Sequence, residues 1–156
     1  MTIYTDGSCL SNGSSENTGG FGVVVLNDNE EFLTCYQKKS VNTTNNREEL
    51  KAILYALLEY GKKRPAPIVY SDSAYCVNTL TQWIFGWARN NWLKSDNKPP
   101  ENLDLIKAYY NFLEIGYQID LRKIKGHNGH EWNELADQLA TGSLCSEYVE
   151  RKYNGR

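Results

Sequence analysis

Hydrophobic and polar positions predict three strands at the start of the chain. Residues 2–10 alternate between the two classes, and residues 21–26 form a nearly continuous apolar run that is typical of a buried strand. Polar, glycine-rich residues 11–20 separate these two strands, and a turn at residues 27–29 leads to a third strand that ends near Tyr36. Short connections of this kind predict that the three strands are antiparallel.

From Asn45 the apolar positions recur at helical spacing as far as Gly61. A short strand at residues 67–71 follows, and then helical segments that include a tryptophan-rich stretch and a helix from about residue 102 to Gly116. The last strand is expected at residues 117–124, before an amphipathic helix that carries Trp132, Leu135, Ala136 and Leu139.

This order of elements predicts an α/β fold. Three antiparallel strands, followed by two parallel strands that are separated by helices, form a mixed five-stranded sheet flanked by helices. We expect a single domain over residues 1–142, with residues 143–156 as a C-terminal tail or short helix packed on the same domain. A chain of 156 residues typically buries about 70% of its unfolded surface, which is enough for a real core.

The composition of the chain limits where the protein is expected in the cell and how it could bind nucleic acid. The four cysteines include no Cys-x-x-Cys pair, and the sequence contains neither a secretory signal nor an apolar run long enough to cross a membrane. We therefore expect a cytoplasmic monomer with reduced thiols. The net charge of −2 gives no global positive field, so any binding of nucleic acid must depend on local geometry or on metal ions.

Asp6 and Glu49 are the first candidate functional residues. Asp6 lies in the middle of the first strand, where it is a metal ligand, a turn former beside Gly7, or a strand-end residue open to water. Glu49 shares a helix face with small and apolar residues that point toward the sheet. With Asn45 as the N-cap, Glu48 falls at the third helical position and is expected to point outward.

Two further aspartates complete a possible cluster. Asp72 ends a strand, although it is also a candidate helix N-cap, and Asp137 lies inside the last helix, where aspartate is mildly unfavourable. Four carboxylates that converge would repel one another unless hard cations neutralise them. The pattern thus predicts a site for two Mg²⁺ ions, for which Mn²⁺ can substitute.

Several sequence blocks resemble the successive signatures of a bacterial-type (type 1) ribonuclease H, in the same order and as far as about Gly142. They are Thr5-Asp6-Gly7-Ser8-Cys9-Leu10, Thr43-Thr44-Asn45-Asn46-Arg47-Glu48-Glu49-Leu50, Ser71-Asp72-Ser73, Thr81-Gln82-Trp83-Ile84 and Lys125-Gly126-His127-Asn128-Gly129-His130, with Asn133, Glu134 and Asp137.

The resemblance implies an endonuclease that hydrolyses the RNA strand of RNA/DNA hybrids by two-metal-ion catalysis and leaves 5′-phosphate and 3′-hydroxyl ends. It also implies that the metal ligands are Asp6, Glu49, Asp72 and Asp137, and that His127 assists proton transfer or product release. A zinc site at His127 and His130 is disfavoured because no cysteine pair completes a tetrahedral set.

The same resemblance implies the residues that bind the hybrid. These are Asn12, Asn45 and Asn46 at the minor groove, Thr44 at a DNA phosphate, and a protrusion that holds the DNA strand with Trp83, Trp87, Arg89, Trp92 and Lys94. The alternative, above all for Trp83, is that the tryptophans pin a helical hairpin to the core. The chain departs from basic relatives in the stretch Ala88-Arg89-Asn90-Asn91 and at Ala74, so we expect lower and more salt-tolerant affinity. The alternatives are a catalytically silent hybrid-binding module and another nuclease of the same fold.

Overall fold

The computed structural model describes residues 1–10, 17–124 and 130–155. Its strands form one five-stranded sheet in the order β3-β2-β1-β4-β5. The central strand β1 pairs antiparallel with β2 and parallel with β4. The sheet thus has the predicted mixed topology, and the expected fold class is confirmed. The strand bounds are β1 Thr2–Leu10, β2 Thr18–Leu26, β3 Phe32–Val41, β4 Ile68–Ser71 and β5 Asp120–Lys123.

Six α-helices and one π-helical turn are found in the described residues. None of these helices combines the length and the apolar character needed to cross a membrane. The bounds are α1 Asn45–Tyr60, α2 Ala74–Asn78, the π-helical turn Thr79–Trp83, α3 Ile84–Arg89, α4 Leu103–Glu114, α5 Glu131–Thr141 and α6 Ser146–Asn154.

Three element boundaries differ from those expected. Strand β3 continues to Val41 because it pairs with β2 along its whole length. Strand β5 begins only at Asp120, because the backbone N–H groups of Tyr117 and Gln118 donate to the ends of helices α4 and α1 instead of to a strand. The N-cap of α1 is Thr44 rather than Asn45, since the Thr44 hydroxyl accepts the Arg47 N–H at 3.1 Å.

The sheet separates two apolar clusters. Helix α1 covers one face, where Ile3, Val23 and Val25 pack against its buried side chains. Helix α5 covers the other face over Tyr4, Val24 and Leu26. Successive residues of β1 and β2 therefore point to opposite layers, which places the two helices on either side of the central strand.

Helix α6 is attached to the edge strand β3 by side chains. The Glu150 carboxylate accepts from the Thr34 hydroxyl at 2.7 Å and from the Cys35 N–H at 3.1 Å. Gln37 donates to the carbonyls of Leu139 and Leu144 and accepts the Ser146 N–H at 2.7 Å. These bonds hold the C-terminal helix against the sheet.

Candidate active site

Asp6 lies at the centre of the sheet. Its strand has neighbours on both sides, and the aspartate is only 5% exposed. One carboxylate oxygen accepts the N–H of Gly7 at 2.9 Å. Of the three interpretations left open by the sequence, the structure excludes a strand end open to water.

Glu49 reaches Asp6 because helix α1 approaches β1 very closely. A Cβ atom at Gly7 would lie 2.3 Å from the Glu49 nitrogen and 2.4 Å from the Glu48 carbonyl carbon. Only glycine allows this approach, which places the 7% exposed Glu49 side chain beside the central strand.

Asp72 and Asp137 approach the same point from other elements. Asp72 follows β4, the parallel neighbour of β1, and one oxygen each from Asp6, Glu49 and Asp72 lie within 4.8 Å of one another. Asp137 is exposed on α5, and its carboxyl group interacts directly with that of Asp6. Helix α5 can come this close because Gly22, the strand partner of Asp6, has no side chain. A Cβ atom at this position would lie 2.4 Å from the Ala136 carbonyl oxygen.

Burial and mutual repulsion perturb this cluster. Burial raises the pKa of Asp6 to about 7, and the Asp72 and Asp137 carboxyl groups add to the rise. Burial and, after it, the nearby Asp6 carboxyl group raise the pKa of Glu49 well above its usual value. The Glu49 Oε2 atom is buried without a hydrogen-bond partner. An oxygen-rich pocket with an unpaired buried acceptor fits a hard divalent cation.

The expected substrate-binding residues of helix α1 lie next to this cluster. Thr44, Asn45 and Asn46 form the N-cap and first turn of α1 and are all exposed. They lie at the end of α1 that also carries Glu49. The predicted residues Asn12 and His127 lie outside the described residues.

The tryptophan-rich segment has an exposed part and a packed part. Trp83 is 44% exposed at the end of the π-helical turn, and its ring lies 6.1 Å from that of Trp87. Trp92 instead packs edge-on against Tyr110 at 5.3 Å. Arg89 is exposed, whereas the Lys94 ammonium lies 3.8 Å from the Asp96 carboxylate. Trp83 and Arg89 are therefore the accessible residues of this segment, whereas the half-buried Trp87 and Trp92 pack against the core, and Trp92 holds the segment to α4.

The expectation for Glu48 is wrong. Its side chain is fully buried rather than turned outward. Segment 40–44 crosses the base of α1 and supplies the hydroxyls of Ser40 and Thr43 as hydrogen-bond donors to the carboxylate. Helical spacing could not reveal these partners, because they come from the preceding strand and connection. Buried Asn17, which also contacts Thr43, was likewise missed.

A cavity of about 610 Å³ lies beside the site, at the ends of β1, β2 and β3, and none of the four acids lines it. Within the described residues, the group suited to a metal ion consists of Asp6, Glu49 and Asp72 and includes no histidine or cysteine. His130 lies with its ring 5.8 Å from that of Tyr4. An all-carboxylate set of this kind suits a hard divalent cation better than zinc.

Comparisons with known proteins identify the family of this chain. The RNase H family model matches residues 1–144. Ribonuclease H of Mannheimia succiniciproducens is 45% identical over 141 residues, which cover 90% of this chain and 84% of the relative.

Solved structures show the same fold. The RNase H domain of prototype foamy virus matches with a TM-score of 0.79 and 26% identity, covering 95% of this chain and 94% of that domain. The foamy viral protease-reverse transcriptase, solved in complex with an RNA/DNA hybrid, matches with a TM-score of 0.80 and 19% identity, over 89% of this chain and 19% of that chain. From the family match and the close bacterial relative, we conclude that the chain belongs to the ribonuclease H family.

Proposed function

We propose that this chain hydrolyses the RNA strand of RNA/DNA hybrids by two-metal-ion catalysis and leaves 5′-phosphate and 3′-hydroxyl ends. The observation that carries the proposal is the convergence of Asp6, Glu49 and Asp72 within 4.8 Å, with Asp137 against Asp6. Membership of the ribonuclease H family supports the substrate, and a neighbour of the same fold was solved with a hybrid.

The four acids would hold two Mg²⁺ ions, with Mn²⁺ as a substitute. When bound, such ions supply activation of the attacking water and stabilisation of the leaving 3′-oxygen. Asp6 is central in the sheet, lies within 4.8 Å of ligand oxygens of Glu49 and Asp72, and interacts electrostatically with Asp137, so it would be the acid that both ions share. Glu49 would also lie near the 2′-hydroxyl, the group that distinguishes RNA from DNA.

The remaining residues would position the hybrid and move protons. We propose that Asn12, Asn45 and Asn46 contact the minor groove, that Thr44 binds a DNA phosphate, and that His127 assists proton transfer or product release near neutral pH. We further propose that Trp83, Trp87, Arg89 and Lys94 hold the DNA strand, with Trp92 supporting them through its contact with Tyr110.

A direct test compares an end-labelled RNA/DNA hybrid, double-stranded RNA and double-stranded DNA, each with Mg²⁺, Mn²⁺ or EDTA. We expect cleavage of the hybrid alone, in the RNA strand, and only with a metal ion. Asp6→Asn should abolish it, whereas Asp120→Asn, a change at an exposed aspartate in β5, should not. Cleavage by Asp6→Asn at the parent rate would contradict the mechanism. Metal-independent binding without cleavage would favour the silent binding module.

A further inference from the structure

Glu48, the neighbour of Glu49, forms a buried polar network of its own. Its Oε2 atom accepts from the Thr43 hydroxyl at 2.5 Å, and its Oε1 atom accepts from the Ser40 hydroxyl at 2.9 Å. The Lys51 ammonium lies 3.1 Å from Oε2 and donates to the Ser40 hydroxyl at 3.1 Å. The carboxylate is 0% exposed, yet it is fully supplied with partners.

Such a network is costly if its only effect is stability. A buried ion pair is often matched or exceeded in stability by apolar residues of similar volume, because desolvation offsets the attraction. Unlike an apolar side chain, a carboxylate makes directional hydrogen bonds, which fix the positions of the donors around it. We therefore expect Glu48 to fix the position of the residues that donate to it.

Thr43 is the residue held most completely. Its hydroxyl is fixed by Glu48, while its backbone makes two bonds with the buried side chain of Asn17: Asn17 Nδ2 donates to the Thr43 carbonyl at 2.8 Å, and the Thr43 N–H donates to Asn17 Oδ1 at 2.7 Å. The N–H of Asn42 donates to the Asn17 carbonyl at 3.0 Å. The next three residues, Thr44, Asn45 and Asn46, are exposed.

We propose that Glu48 is a positioning residue for the nucleic-acid substrate, acting through Thr43 on the turn formed by Thr44, Asn45 and Asn46. Asn17 anchors the backbone of Thr43 from one side, and Glu48 anchors its hydroxyl from the other. The exposed N-cap and first turn of α1 thus follow directly from a fixed residue, Thr43. This inference rests on the proposed function, because it assumes that the turn contacts a hybrid.

The partners of Glu48 separate its effect from that of the metal-binding acids. Glu49 faces Asp6 and Asp72, whereas Glu48 faces Ser40, Thr43 and Lys51. The two glutamates share no hydrogen-bond partner among these contacts. Loss of Glu48 should therefore weaken substrate binding without changing the demand for metal ions.

The test measures kcat, KM and the Mg²⁺ midpoint of hybrid cleavage at a temperature where every variant is folded. Glu48→Leu removes the carboxylate at similar volume, and we expect KM to rise about fivefold or more with kcat within about twofold. Glu48→Gln keeps a carbonyl acceptor for Thr43 and should restore most of the loss. Fluorescence anisotropy of the labelled hybrid in EDTA should show the same order of affinities.

Glu150→Leu is the matched control. It removes a carboxylate that accepts from Thr34 and Cys35 in strand β3 and from the Asn154 side-chain amide within α6, and none of these residues belongs to the Thr43 region. It should lower the unfolding temperature and leave KM unchanged. If Glu48→Leu does not fold, Thr43→Val, which deletes only the anchored hydroxyl, takes its place with the same expected rise in KM.

The outcomes separate the two proposals. An unchanged KM in folded Glu48→Leu, or a shifted Mg²⁺ midpoint with no change in KM, would overturn the positioning role. A parent chain that binds the hybrid but does not cleave it would refute the proposed activity, while anisotropy would still test Glu48. A parent chain that neither binds nor cleaves the hybrid would refute both.

Discussion

Gly7 lies against the backbone of Glu49, so closely that a Cβ atom at position 7 would be 2.3 Å from the Glu49 nitrogen. The contact joins the central strand to the N-terminal part of α1, and each of these two elements carries one acid of the cluster. The separation of the Asp6 and Glu49 side chains is therefore set by the close packing of two backbones.

Gly7→Ala should damage both stability and activity. The added methyl group would overlap backbone atoms, which cannot move aside as a flexible side chain can, so we expect a loss of about 3 kcal/mol or more in the free energy of unfolding. Urea denaturation measures this loss, and hybrid cleavage should fall with it. Gly86→Ala is the control, because the site is inside α3 and, apart from its chain neighbours and the backbone of its own helix, no atom lies within 4 Å of the added Cβ. It should be stabilised by about 0.5–1 kcal/mol; equal effects at the two positions would contradict the close-packing argument.

Asp6 should make the metal-free protein less stable as the pH rises. Its pKa is about 7 in the folded protein, against about 3.9 in an unfolded chain. Between these values the folded state binds more protons, so the free energy of unfolding falls as the pH increases. In EDTA, Asp6→Asn should thus exceed the parent in stability at about pH 8, by up to about 4 kcal/mol, with the advantage disappearing near pH 4. Thermal unfolding across this range measures it, and a constant difference between parent and variant would contradict the assignment.

Metal ions should counteract this loss of stability in the parent. Binding to the folded acids alone stabilises the folded state by mass action. At about pH 8, Mg²⁺ in excess should raise the unfolding temperature of the parent, and the rise should be smaller or absent in Asp6→Asn. Differential scanning fluorimetry with Mg²⁺ and, for ionic strength, with Na⁺ checks this. An equal rise with both ions would indicate screening and not a specific site.

Replacing Trp83 should lower the affinity for the hybrid, whereas replacing Trp92 should lower the stability of the fold. Trp83→Ala removes a largely exposed ring, so we expect about a 5- to 100-fold loss of hybrid affinity if a base or sugar stacks on it, with little change in the unfolding temperature. Trp92→Ala removes the edge-on contact with Tyr110 and should cost about 3 kcal/mol of stability. Anisotropy and urea denaturation separate the effects, and the reverse pattern would show that the exposed surface has been misassigned.

The acids of the site could be predicted because their positions obey simple periods. Asp6 stands out in an alternating strand, and Glu49 shares the α1 face that points to the sheet. The order of strands then accounts for their meeting with Asp72, because β4 lies next to β1. In these residues the local pattern and the tertiary arrangement agree.

Neither the burial of Glu48 nor the length of β3 could be predicted from the sequence, and both have one physical cause. Periodicity describes one element at a time, whereas Glu48 is buried by hydroxyls of Ser40 and Thr43, from the preceding strand and connection. Strand β3 likewise extends to Val41 through pairing with Thr18. Interactions between elements decided both features, and the polar character of residues 37–46 concealed them.

The central position of β1 has a consequence for exchange of the backbone with solvent. Thr2, Ile3 and Tyr4 pair with β2 on one side and with β4 on the other, and Asp6 follows on the same strand. Amide hydrogens in such a strand exchange through the largest unfolding events and are among the slowest in a domain. Amide exchange in β1 should then be slow in the metal-free protein and slower still with metal bound, because metal binding raises the free energy of the unfolding events through which these amides exchange.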